Sequence, residues 1–132
     1  MSPFAPVSYS PKKYDPFEHA TEMGIEIIHR RLTTANGLWV PDHRVVFLQP
    51  RMHRVHERSV LAHELVHAEF GDVGREESQE RRADRLAARR LIRRVDLHRA
   101  TKISDDPGVW AMEIGVTEHL MSTYMQDSQW IA

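Results

Sequence analysis

Two histidines and a glutamate lie inside one apolar stretch of the chain, residues 61–68, in the pattern His63-Glu64-x-x-His67. In a helix, residues four apart lie on the same face, so the imidazoles of His63 and His67 can bind one metal ion together. Glu64 then lies beside the coordination position that they leave open. The leucine, valine and alanine residues around the motif indicate a largely buried helix, in which polar side chains need partners. The spacing predicts a metal-dependent hydrolytic site.

A third protein ligand is expected on the next predicted helix, because catalytic zinc usually has three protein ligands and a water. The chain has no cysteine, which excludes thiolate ligands and disulfides. We predict Glu80 as the third ligand and Asp84 as the acid that holds the free ring nitrogen of a ligating histidine. The alternative is a solvated ladder with neighbouring arginines. The metal role is favoured because both acids share a face with Ala87 and Leu91.

This set of residues predicts peptide-bond hydrolysis. Zinc would polarise the substrate carbonyl and acidify water, and Glu64 would accept the proton of that water and pass it to the leaving amine. The oxyanion-stabilising donor is left open. His98, His119, Tyr124 and Tyr14 are its candidates. Three acids between the two helices are weaker ligand candidates, because they lie in a loop with no apolar face to direct their side chains towards the site. They are Asp72, Glu76 and Glu77.

Composition limits the class of protein. The chain has 132 residues, 41% hydrophobic and 28% charged, which fits one soluble domain. Its 18 basic and 19 acidic side chains give a near-zero net charge, so the chain as a whole is not built to bind polyanions. No apolar run approaches the roughly 20 residues of a membrane span, and the amino end lacks a signal-peptide pattern. A cytoplasmic location is expected.

The periodicity predicts an α+β fold, with a small antiparallel three-stranded sheet packed on a zinc-binding helical core. A short helix begins at Asp15 and Pro16 and ends at Gly24. Strands are expected at residues 25–29, 38–40 and 45–48. An irregular arm, residues 1–13, precedes a single domain, residues 14–132.

The rest of the chain is predicted to be helical. The motif helix runs from about His53 to Phe70 and ends at Gly71. A second long helix runs from about residue 78 to residue 94, with Ser78 as its N-cap. The catalytic core is expected over residues 14–95. A C-terminal helical segment, residues 100–132, is expected to contain helices that begin near residue 105 and near residue 117.

The sequence resembles the ImmA/IrrE family of metallo-endopeptidases, which are gluzincin-like HExxH zinc peptidases. The similar features are the segments 37–40 and 45–48, the block 58–67 and the pattern Glu80-x-x-Ala83-Asp84-x-x-Ala87-x-x-x-Leu91, so the resemblance covers roughly residues 14–95. It departs from the usual pattern at Leu86, where family members usually have an aromatic residue.

The resemblance implies specific roles and a specific substrate class. The zinc ligands would be His63, His67 and Glu80, the catalytic base would be Glu64, and the supporting acid would be Asp84. Family members cleave or inactivate a helix-turn-helix repressor of a stress regulon, phage or mobile element. A similar protein substrate is therefore implied here, with no membrane partner, and the small size suggests a phage or mobile-element origin.

Two other classes of function remain open. Residues 107–125 have the sequence pattern of a DNA-binding helix-turn-helix, and eight arginines lie between Arg81 and Arg99. However, the second helix of that motif carries no arginine or lysine to contact phosphates. The other possibility is a non-cleaving, metal-dependent antirepressor or toxin-antitoxin partner, which would retain the same residues without turnover.

Overall fold

The computed structural model describes residues 13–127, which form the predicted α+β fold. Six helices and three strands follow one another along this part of the chain, and Pro41–His43 forms a short 3-10 turn. In chain order the elements are α1 (Pro16–Glu22), β1 (Glu26–His29), β2 (Gly37–Val40), β3 (Val45–Leu48), α2 (Arg54–Phe70), α3 (Glu77–Leu91), α4 (Arg94–Thr101), α5 (Pro107–Ile114) and α6 (Glu118–Gln126). The arm predicted over residues 1–13 and the last five residues lie almost entirely outside the described residues.

The sheet is mixed, so the prediction of an antiparallel sheet is wrong for one of its two pairings. Strand β3 lies in the centre, antiparallel to β2 and parallel to β1. The loop after β1 crosses the end of β3 before the chain returns as β2. The Gln49 side chain, directly after β3, holds this loop through hydrogen bonds with the backbone of Leu32 and Ala35. The consecutive strands β1 and β2 are therefore not neighbours, which periodicity along the chain does not reveal.

Several helix ends follow the predicted capping chemistry. Asp15 caps α1 by accepting a hydrogen bond from the Phe17 amide, with Pro16 at the first helical position. Helix α2 ends at Gly71, whose φ of 66° is in the left-handed region that favours glycine. The N-cap of α3 is Glu76 and not Ser78 as predicted, and it makes no side-chain capping bond.

The second long helix is also shorter than predicted. Helix α3 ends at Leu91, and the extended backbone of Ile92 and Arg93 separates it from α4. Ile92 is buried with 2% of its surface exposed, because this break turns its side chain into the core. The local sequence does not predict this break, because the residues around it favour a continuous helix. The break accompanies the burial of Ile92, which depends on tertiary packing.

Two apolar clusters hold the elements together around α2. One packs α1 and the sheet against Leu61 and Leu65 of α2. The other packs Ala62 of α2 against the faces of α3 to α6, including Ala87, Leu97 and Leu120. The motif helix is therefore the shared layer between the sheet and the C-terminal helices. Within residues 13–127, no helix combines the length and the apolar character needed to span a membrane.

Candidate metal centre

The side chains of His63, His67 and Glu80 meet at the junction of α2 and α3. Their ligand atoms all lie within 4.8 Å of one another. The two Nε2 atoms are 3.1 Å apart, and the Glu80 carboxylate oxygens lie 3.1 Å from Nε2 of His63 and 2.7 Å from Nε2 of His67. The structure thus brings together the three residues for which the sequence predicts metal binding.

The His67 imidazole is held from behind by a buried ion pair. Its Nδ1–H donates to Asp72 Oδ2 at 2.9 Å, and the Arg82 guanidinium donates to the other Asp72 oxygen. Only 4% of the Asp72 side chain is exposed. Burial alone would raise the pKa of the Asp72 carboxyl, but the hydrogen bonds from His67 and Arg82 outweigh it and hold the pKa below its usual value. This carboxylate fixes the ring orientation of His67.

Asp72 is a supporting residue that the sequence analysis placed only among weak ligand candidates. The sequence feature that could have identified Asp72 is the glycine directly before it, Gly71. The backbone amide of Gly71 bonds to Ala68 O, and that of Asp72 bonds to His67 O at 3.0 Å, which is the Schellman arrangement of a helix that ends at glycine. This turn folds the chain back over the last helical turn. An acid directly after the glycine is thereby brought next to His67.

The His63 imidazole is supported by the acid that the sequence predicts. Its Nδ1–H donates to Asp84 Oδ1 at 2.7 Å, and His119 Nε2 of helix α6 lies 2.9 Å from the other Asp84 oxygen. Hydrogen bonds from both imidazoles outweigh burial and hold the pKa of the Asp84 carboxyl below its usual value. Asp84 therefore links the metal centre to α6, well beyond the predicted catalytic core.

The side chain of Glu64, a residue of α2, contacts the edge strand β2. Its Oε1 accepts a hydrogen bond from the Trp39 amide at 3.1 Å. Burial raises the pKa of the Glu64 carboxyl above its usual value, against the opposing influence of the two imidazoles. A carboxyl with a raised pKa is suited to take up a proton and later release it.

The close approach of β2 to α2 depends on Gly37. A Cβ atom at this position would lie 2.5 Å from Val60 Cγ1 and 3.0 Å from Glu64 Cγ, well inside contact distance. In the sequence, Gly37 directly precedes the strand predicted at residues 38–40 and gives no sign of this contact. In the structure, the missing side chain is what allows the strand to lie against the face of the helix that carries Glu64.

The arrangement fits a metal ion. Because a carboxylate only accepts hydrogen bonds, Asp84 and Asp72 keep a proton on Nδ1 of their imidazoles. In a neutral ring, Nε2 then has a lone pair with which to bind a metal ion beside Glu80. Four ligands at about 2.0–2.1 Å around a tetrahedral zinc ion lie about 3.3 Å apart, close to the 2.7–3.1 Å found here. Although burial acts in the opposite sense, Asp84, Glu64 and Glu80 raise the pKa of His63. The negative potential that favours a proton on this ring also favours a metal cation.

Two cavities open on either side of Glu64. The larger, of about 370 Å³, lies on the His63 side, and the smaller, of about 160 Å³, lies on the His67 side. Both are lined by Glu64 and Arg75. The motif glutamate therefore lies between two cavities rather than at the bottom of a single pocket.

The cavity linings separate the four candidates for the oxyanion donor. His119 lines the larger cavity. Tyr14 instead hydrogen-bonds His19, and Tyr124 is buried in the C-terminal apolar cluster. His98 is an exposed residue of α4 and lines neither cavity. A second lining residue, His56, was assigned no role from the sequence.

The fold and this cluster define a metallopeptidase-like domain that can hold a metal ion through His63, His67 and Glu80. The chain belongs to the Peptidase_M78 family, because the model of that family, described as the IrrE N-terminal-like domain, matches residues 20–122. This confirms the resemblance to the ImmA/IrrE family, and the match continues past residue 95 into helix α6. No curated protein matches the chain.

Proposed function

We propose that this protein is a zinc-dependent endopeptidase that cleaves a helix-turn-helix transcriptional repressor of a phage, mobile element or stress regulon. The observation that carries the proposal is the convergence of His63, His67 and Glu80 beside a separate carboxylate, Glu64. The family supports a peptidase, and the donor set of two imidazoles and one carboxylate suits zinc. A repressor substrate would place the protein in the cytoplasm.

The residues of the site have separate roles in the proposed peptide hydrolysis. A bound zinc ion would supply Lewis acidity to polarise a carbonyl and acidify water. Glu64 accepts the proton of the attacking water, and the Trp39 amide holds the carboxylate in place for that transfer. The protonated Glu64 then donates to the leaving amine, which restores the carboxylate. Asp72 and Asp84 keep the two imidazoles in the tautomer that presents Nε2 to the metal.

The position of β2 supports an extended peptide as the substrate. This strand is at the edge of the sheet, since it pairs with β3 alone, and it runs beside Glu64. A peptide that adds to the edge would pass the catalytic carboxylate with its backbone held by hydrogen bonds. The two cavities on either side of Glu64 then receive side chains from both sides of the scissile bond.

The packing of helix α6 favours the peptidase over a DNA-binding helix-turn-helix. Leu120, Met121 and Tyr124 are buried in the C-terminal cluster, and His119 points to Asp84 at the metal centre. The Arg58 guanidinium of α2 donates to Gly115 O in the turn between α5 and α6, at 2.8 Å. This turn is thus fixed against the motif helix, and α6 faces the catalytic site.

The test is cleavage of a proteome-derived peptide library by the zinc-loaded protein, with new termini identified by mass spectrometry. Glu64→Gln should lower the cleavage rate by a factor of about 10² or more while the zinc content is unchanged, because it removes the proton acceptor and keeps the ligands. Glu57→Gln is the matched control, since Glu57 is on the same helix and its carboxylate pairs with His29.

The same variant separates cleavage from simple capture of a repressor. If the Glu64→Gln protein relieves repression in cells as well as the wild-type protein does, the non-cleaving antirepressor is the better account. Equal library cleavage by the wild-type and Glu64→Gln proteins would contradict the peptidase proposal itself.

A further inference from the structure

Glu64 and Arg75 are the two residues that line both of the cavities beside the candidate metal centre. Arg75 is exposed and lies in the loop between α2 and α3. It was assigned no role from the sequence. Because it borders the same two spaces as the proposed base, Arg75 is placed close to the bond on which Glu64 would act.

The Arg75 guanidinium is a cation without a counterion in the described part of the chain. It makes no hydrogen bond or ion pair with any other residue in the range 13–127. No other arginine or lysine lines either cavity. A guanidinium carries five N–H donors in a planar arrangement that matches the two oxygens of a carboxylate. The donors of Arg75 are therefore available to a molecule that binds there.

The carboxylates that line the two cavities are bound to other groups. Each of them has a hydrogen-bond or ion-pair partner other than Arg75, and they are Glu64, Asp72, Glu80 and Asp84. A further carboxylate that entered from solution would be repelled by these acids unless a cation compensated for them. Arg75 is the residue of the lining that can supply this positive charge.

The distribution of charge favours the larger cavity as the place for such a carboxylate. Besides Arg75, its lining has three imidazoles and two carboxylates, which are those of His56, His63, His119, Glu64 and Asp84. The smaller cavity has one imidazole and three carboxylates, which are those of His67, Glu64, Asp72 and Glu80. The larger cavity, of about 370 Å³, therefore repels an anion less and offers it more donors.

We infer that Arg75 determines substrate specificity by binding the carboxylate of a glutamate or aspartate side chain in the larger cavity. The inference rests on the proposed function in that it assigns this carboxylate to a peptide substrate. The acidic residue would adjoin the scissile bond, because His63 and Glu64 line the same cavity. A lysine or arginine at the same position of the substrate would be repelled by Arg75.

Binding of matched peptides tests this subsite without any need for turnover. Isotope-labelled, zinc-loaded protein is titrated with acetylated and amidated alanine-X-alanine tripeptides, in which X is glutamate, glutamine or lysine. A fourth peptide has X as glutamine and a free terminal carboxylate. In NMR spectra, the methyl resonances of Val60 and Leu120 report on the larger cavity, and those of Leu38 and Val73 report on the smaller one.

The glutamate peptide should shift the resonances of Val60 and Leu120 and bind most tightly of the four. Its affinity should exceed that of the glutamine peptide about three- to tenfold, the difference expected for one charge pair that water can reach. Glutamine has nearly the same shape as glutamate, so this difference isolates the charge.

Substitution of Arg75 should change the preference in a defined direction. Arg75→Gln should make the glutamate and glutamine peptides bind equally, and Arg75→Glu should make the lysine peptide bind most tightly. Arg99→Glu, at an exposed position of α4 that lines neither cavity, is the matched control and should keep the wild-type order. Both Arg75 variants should keep the wild-type melting temperature, because the side chain is exposed.

The subsite is overturned if the glutamine peptide binds as tightly as the glutamate peptide or if Arg75→Gln retains the preference. It is also overturned if no peptide shifts the resonances of Val60 and Leu120. Tighter binding of the peptide with the free terminal carboxylate would assign Arg75 to the end of a chain and overturn its assignment to a side chain. These outcomes are independent of the Glu64→Gln cleavage test, so the subsite and the peptidase proposal fail separately.

Discussion

The two imidazoles of the candidate metal centre are supported by carboxylates in contrasting surroundings. On the His67 side, Asp72 is 4% exposed and is locked by Arg82. On the His63 side, Asp84 is 24% exposed, and its second partner is His119, whose side chain is 69% exposed. The first support is buried in the protein, whereas the second is open to the larger cavity on the His63 side.

The contrast indicates a division between anchoring and binding. Asp72 follows His67 by five residues, so the closed side is built by a local turn at the end of α2. Asp84 and His119 come from two different helices, so the open side depends on how α3 and α6 pack. We expect the closed side to contribute mainly to stability and the open side mainly to the binding of substrate.

The largest expected difference is in stability. Asp72→Ala should lower the free energy of unfolding by about 2–3 kcal/mol, because it leaves His67 and the Arg82 guanidinium without their buried partner. Asp84→Ala should cost less than about 1 kcal/mol, since water can reach its partners. Urea unfolding of the chelator-treated proteins measures both values. Equal costs for the two substitutions would remove the distinction between a closed and an open side.

The next largest effect is on metal affinity, which substitutions on the Asp72 side and on the Asp84 side should lower by similar factors. Asp72→Asn and Asp84→Asn should each weaken zinc binding about 10- to 100-fold, because each removes the carboxylate that orients a ligating imidazole. Competition with a chromophoric chelator gives the dissociation constants. Asp105→Asn, at an exposed position before α5, is the control and should bind zinc as the wild type does. An unchanged affinity in both test variants would show that the carboxylates do not support the ligands.

The smallest effect is on the acid dependence of stability. The pKa values of the Asp72 and Asp84 carboxyls are held below their usual value, so each contributes stability above about pH 4 that is lost as the pH falls through the folded-state pKa. The metal-free wild type should therefore lose stability below about pH 4. Asp72→Asn and Asp84→Asn should each show a shallower decline in urea unfolding midpoints between pH 5 and pH 2. Parallel curves for all three proteins would contradict this.

The parts of the fold that the sequence predicted are those determined by local chemistry. Asp15 and Pro16 start α1, Gly71 ends α2, and the spacing of His63 and His67 places them on one helical face. The partners Glu80 and Asp84 could be found because they share the apolar stripe of the next helix. All of these signals lie within a few residues of the feature that they specify.

The features that were missed depend on contacts between distant segments. The parallel pairing of β1 and β3 follows from the loop that Gln49 holds, and the break after Leu91 follows from the burial of Ile92. The contact of His119 with Asp84 needs the packing of α6 against α3. Asp72 is the exception, because the glycine turn before it is a local signal that could have placed it beside His67.

Zinc content of the purified protein is the most direct test of the central claim that His63, His67 and Glu80 form a metal centre. Elemental analysis of the wild type, His63→Ala and Glu80→Ala proteins should find about one zinc ion per chain in the wild type and a loss in both variants, since each removes one of three protein ligands. Glu76→Ala, in which the exposed residue before α3 is changed, should retain its zinc. A wild-type protein that holds no zinc after reconstitution at neutral pH, or full zinc content in both ligand variants, would contradict the account.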